Sequence, residues 1–147
     1  MRLIASAALF LSAAAFAGCA PSDERTWAGP PDPEPDGSVA VEDFVEHAEN
    51  VDELWERSPV IAAAEFLHLG ERSATRTSVV ATTTGEGAGP HSVIVTLDGL
   101  LDDSVRAERW TLEFEPENET YVLASATWAQ RCQPERGHQD FTAEPCV

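Results

Sequence analysis

The sequence predicts an α+β domain in two layers: two helices, then a four-stranded antiparallel sheet. Three observations carry this. An apolar stripe at the 3.6-residue period starts near residue 41, a nearly all-apolar run opens at a proline after it, and beyond Gly70 the pattern changes to period 2 with threonine and valine enriched.

For the first helix, Ser38 is a candidate cap. Val41, Phe44, Val45, Ala48, Val51 and Trp55 fall on one stripe, while Glu42, Glu46, Glu49 and Glu53 face away. The second helix starts at Ser58-Pro59, a hydroxyl cap followed by the residue best suited to the first helical position, and Gly70 is its expected stop. Between them VIAAAEFLHL is apolar almost all round, which predicts a helix enclosed on most sides. Strands are expected at about 75–83, 92–98, 105–115 and 120–131. Val93, Val95 and Leu97 alternate on the second, and Trp110, Leu112 and Phe114 on the third. PENE at 116–119 reads as a tight hairpin turn and GEGAGP at 85–90 as a looser one, so successive strands form a meander. Trp55, Trp110 and Trp128 are expected in the core.

Ahead of the domain, residues 20–37 read APSDERTWAGPPDPEPDG, with five prolines and one large apolar residue, Trp27. This composition buries too little apolar surface to offset the entropy of ordering and predicts an extended tether, about 3.1 Å long per residue. The chain is thus divided into a leader at 1–18, a linker at 19–37 and one domain at 38–147. The leader has one charge at Arg2, an apolar run from Leu3 to Phe16 and small residues before Cys19; it is a secretion signal, too short for a spanning helix. Its end, AFAGC at 15–19, resembles the lipobox of bacterial lipoproteins, with Phe16 where leucine is more usual. That resemblance implies that Cys19 becomes the first residue and carries a fatty-acyl lipid of the palmitate kind, that the protein is anchored to a membrane, and, because Ala20 is not aspartate, that the outer membrane is favoured in a two-membrane cell.

Cys19 being lipidated leaves Cys132 and Cys146, in a compartment where disulfides persist. These two are expected to form a staple around QPERGHQDFTAEP. Zinc fits poorly, because one histidine between cysteines so far apart lacks the close pairs of structural sites. This C-terminal segment is also similar to the ends of small secreted proteins of GC-rich bacteria, a likeness that carries no activity.

The net charge is −17, and loss of residues 1–18 removes Arg2 and no carboxylate, making it −18. Such a field repels phosphate, so nucleic acid and anionic headgroups are poor partners, while a cationic protein or envelope ligand is favoured. The chain has no lysine, which excludes Schiff-base chemistry and a P-loop. No nucleophile elbow, dinucleotide fingerprint, HExxH or EF-hand loop occurs, so no cofactor and no metal is implied.

The two-helix, four-strand order is similar to the cystatin-like and NTF2-like group, in topology and not in motif. NTF2-like enzymes place acid/base groups between helix and sheet, so the likeness implies a general base at His68 with Glu65, three residues apart, in a pocket lined by Val93, Val95, Trp110 and Leu112. Against it stands a surface ion pair of Glu65 with His68, Arg72 or Arg76. His138 and Asp140 read as internal partners of the stapled loop, His47 and His91 as solvated, and Asp102-Asp103 as a turn or weak cation site. The leading expectation is a non-enzymatic binding module; the NTF2-like enzyme is the alternative.

Overall fold

The structure, a computed structural model, describes residues 26–51, 53–83 and 89–147. The leader, Cys19 and most of the GEGAGP turn lie outside the described residues. The elements in order are β1 (Ser38–Val39), α1 (Glu42–Glu49), a 3-10 turn (Leu54–Arg57), α2 (Pro59–Phe66), a second 3-10 turn (Leu69–Glu71), β2 (Ala74–Thr83), β3 (His91–Leu100), β4 (Val105–Glu117) and β5 (Thr120–Cys132).

The domain is α+β with one antiparallel sheet, and the four expected strands are present as a meander. The sheet has five strands in the order β1-β5-β4-β3-β2. The count of four missed β1, which pairs Ser38 with Thr127 and Val39 with Ala126. Ser38 therefore does not cap a helix: its hydroxyl and N–H both donate to the Asp36 carboxylate. The two helices follow β1 instead of opening the domain. Its entry depends on Gly37, whose φ is 86° and whose carbonyl accepts from Trp128 N–H at 2.7 Å; a Cβ there would lie 2.5 Å from the Trp128 carbonyl oxygen.

α1 is shorter than its stripe. It ends at Glu49, where Asn50 folds its amide onto the Glu46 carbonyl at 2.6 Å, and Trp55 arrives on a separate 3-10 turn. α2 starts as expected, with the Ser58 hydroxyl accepting from Ile61 N–H at 3.5 Å and Pro59 at the first position. It stops before Gly70: His68 takes the left-handed conformation (φ 49°), which histidine tolerates better than most side chains. Nor is α2 enclosed on most sides. Ala62, Ala63, Phe66 and Leu67 are buried, but Ile61 is 54% exposed and Val60 38%.

One sheet face, carrying Val93, Val95, Leu97, Trp110, Leu112, Phe114, Leu123 and Ala126, packs against Phe44, Ala62, Ala63, Phe66 and Leu67. Trp110 is in the core and Trp55 and Trp128 are packed at its margin. Trp27, within the stretch read as tether, also packs there. Its ring lies 5.7 Å from Phe66 and 5.1 Å from Phe44, and its indole N–H donates to the Phe66 carbonyl at 2.9 Å.

The expected staple is formed: Cys132 and Cys146 are disulfide-bonded. Gly137 makes room for it, with a φ of 137° and Cys132 Sγ only 2.9 Å from where a Cβ would stand.

Candidate functional site

The Glu65 and His68 proposal requires both side chains on one helix face above an open pocket. The helix ends between them. Glu65 is exposed, whereas His68, past the left-handed turn, is half-buried beside Gly29 with Nδ1 3.7 Å from the Glu71 carboxylate. Val93, Val95, Trp110 and Leu112, the residues that were to line the pocket, are at most 3% exposed and packed as core. Arg72 pairs instead with Glu108 at 3.0 Å, donates from Nε to the Leu67 carbonyl at 2.8 Å and sits 5.2 Å above Trp110, which ties the end of α2 to β4.

In the stapled loop the His138 and Gln139 side chains bond to the loop's own backbone. His138 has Nδ1 2.9 Å from the Asp140 carbonyl oxygen and Nε2 2.8 Å from that of Glu144. Two carbonyls only accept, so only the imidazolium satisfies both. These contacts, Glu144 first and Asp140 second, raise the His138 pKa above its ordinary 6.5. Potential metal donors of Cys132, His138 and Cys146 lie within 4.8 Å of one another, but the sulfurs are bonded to each other and both histidine nitrogens face carbonyls. Asp102 closes a turn, accepting from Val105 and Ser104 N–H at 2.6 and 2.8 Å, which holds its carboxyl below the ordinary range.

Strand register gathers residues that the sequence scatters. On the sheet face away from the helices, Asp98 is 11% exposed at its side chain and meets Arg76 at 2.7 Å, Arg106 at 3.4 Å and Arg131 at 3.3 Å. Burial pushes the Asp98 pKa up, but the hydrogen bonds of Arg76 and Arg106 and the charge of Arg131 outweigh it and hold the carboxyl below its usual value. Phe141 of the stapled loop lies under Arg109 at 3.9 Å and Arg131 at 5.1 Å. This is a structural ion network, with its charges already matched to a partner or an aromatic face.

The site with unmatched chemistry is a groove of about 140 Å3 between α1, the first 3-10 turn and the β4–β5 hairpin. Phe44, Val45, Ala48 and Glu49 line it from α1, Trp55 and Glu56 from the turn, Glu117 from β4, and Thr120 to Leu123 from β5. Aromatic side chains Phe44, Trp55 and Tyr121 thus share a concavity with three carboxylates. Phe44 and Trp55 stack at 5.5 Å, and His47 lies parallel to Trp55 at 6.4 Å. Glu56 is partly committed, since it accepts from Glu53 N–H at 3.1 Å in a capping box. Sequence reading placed Glu49 on a solvent face, Phe44 and Trp55 on an apolar stripe, Glu117 in a hairpin turn and Tyr121 on a strand. Their one advance signal was the density of glutamate at both ends of the future groove.

Compared with known proteins, the chain matches no family model, no curated protein and no solved structure. Among the described residues no helix is long and apolar enough to cross a membrane.

Proposed function

We propose that this is a lipid-anchored, acidic binding module of the cell envelope, held at the membrane through Cys19 and taking a cationic group of a partner protein in the groove between α1 and the β4–β5 hairpin. The observation that carries the reading is the joining of Phe44, Trp55 and Tyr121 with Glu49, Glu56 and Glu117 around one concavity. Aromatic faces attract a cation through the ring quadrupole, by about 0.5–1 kcal/mol when exposed and more when desolvated. Carboxylates on the rim supply the longer-range pull. The volume suits a single ammonium or guanidinium head, being close to the roughly 150 Å3 that holds benzene in an engineered cavity. A net charge of −17 steers such a partner from a distance, and salt weakens that steering because the Debye length is about 8 Å at physiological ionic strength. The signal-like leader and AFAGC support the location.

The test is a pull-down from envelope extract with the full chain and with Trp55→Ala and Glu49→Gln/Glu117→Gln variants, at low and high salt. The reading expects a basic protein retained by the parent at low salt, released by salt and lost from both variants. Retention by the variants equal to that of the parent would contradict it. Mass spectrometry of membrane-derived protein checks the anchor separately: an acylated Cys19 at the amino end is expected, and an intact leader on a soluble species refutes it.

A further inference from the structure

The sheet has two edges, treated in opposite ways. Along the C-terminal half of β5 the outer backbone groups are taken up: Trp128 N–H donates to Gly37 at 2.7 Å, Gln130 and Thr142 exchange hydrogen bonds at 2.8 and 3.0 Å, and Cys132 N–H donates to His138 at 3.1 Å. β1 covers Thr127 and Ala126. The stapled loop is thus an edge cap.

β2, the other edge, has no strand or loop bonded along its outer side among the described residues. It pairs only with β3, over nine residue pairs from Ala74↔Leu100 to Thr83↔His91 without a bulge, and Thr75 to Thr83 are exposed on both faces. Its sequence, ATRTSVVATT, has no proline, no lysine and no carboxylate, only Arg76 near one end. Edges that stay solitary carry prolines, inward charges, bulges or shortened strands. This one carries high β-propensity instead, and about five N–H and five C=O groups point outward along an antiparallel edge of ten residues. Four of the exposed large apolar side chains lie on this edge or on the helix beside it. Of the seven large ones among the described residues, Val79 and Val80 are on β2, and Val60 and Ile61 are on α2, which overlies β3 and β2.

We infer that β2 is a homodimer interface, pairing antiparallel with β2 of a second copy across a two-fold axis. The occupant is a second copy because of charge. In a chain of −17, like surfaces repel, and β2 is a ten-residue segment without a negative side chain. The two-fold pairing closes on itself, satisfying the outward groups of both strands and covering Val79 and Val80 of each. Because the remaining surface still repels, added salt strengthens the dimer.

The experiment is sedimentation of the full chain over a concentration and salt series, beside Val80→Lys and Thr82→Lys, with amide hydrogen exchange on the parent. A mass of twice 15.9 kDa is expected, rising in population with salt, with both variants sedimenting at half that mass. Alternate β2 amides of the parent are expected to exchange more slowly as concentration rises, a readout that does not depend on the variants folding. A monomer at every concentration, a dimer unchanged in both variants, or uniformly fast β2 exchange overturns the inference; a monomer whose β2 is protected only by a different protein does so as well.

Discussion

At Asp98 a single carboxylate holds three guanidiniums, and its removal leaves Arg131, the least exposed of them, without its acceptor. Asp98→Asn is expected to cost about 1.5–3 kcal/mol, the range for hydrogen bonds to charged groups, read as a lower urea midpoint. Because the Asp98 pKa is lowered on folding, its contribution is present above pH 3.8 and is lost as pH falls through the folded value. His138 has the opposite sign. Its pKa is raised, so its contribution is complete below pH 6.5 and disappears as pH rises through the folded value. NMR titration is expected to place His138 above 6.5; a value at or below 6.5 would mean that the imidazole is neutral and one carbonyl unsatisfied. That His138 is held inside the stapled loop was readable from the sequence; the Asp98 network was not. The arginines at 76, 106 and 131 stand on three different strands, and only register, with a bulge between Val105 and Ala107 that brings Arg106 within reach, makes them neighbours of Asp98.

Among the elements, β2 to β5 lie within two residues of their expected bounds, because a period of 2 with threonine and valine is a strong local signal. The elements that differ are those decided by contacts distant in sequence. β1 is two residues long and exists only because β5 supplies the partner. The apolar stripe that reads as one helix to Trp55 is two pieces, since Trp55 reaches Phe44 from a separate turn after the amide of Asn50 has closed α1. The stapled loop was readable as a disulfide from thiol accounting, but not as the cap of the β5 edge. Reduction of Cys132–Cys146 is therefore expected to do more than remove about 3 kcal/mol of loop constraint. The amides of Gln130 and Cys132 should gain exchange rate ahead of those on β3. Equal protection in the reduced and oxidised protein would show that the loop seals nothing.

Across the whole molecule, charge and shape divide the labour. Arginine is spent on the ion network and on the end of α2, carboxylates dominate elsewhere, and three of them meet aromatic rings in the one groove described between α1 and the hairpin. The acid excess was plain in the composition; the groove was not, because it joins the polar flank of a helix to a hairpin more than sixty residues later. Nor was the loss of the His68 and Glu65 pairing foreseeable, since spacing on a helix means nothing past the residue where that helix ends. The most direct test of cation recognition is a two-dimensional NMR titration of the full chain with tetramethylammonium chloride against matched sodium chloride. Saturable shifts confined to Phe44, Glu49, Trp55, Glu117 and Tyr121, including the Trp55 indole N–H, are predicted. Shifts identical in the two salts would contradict the account.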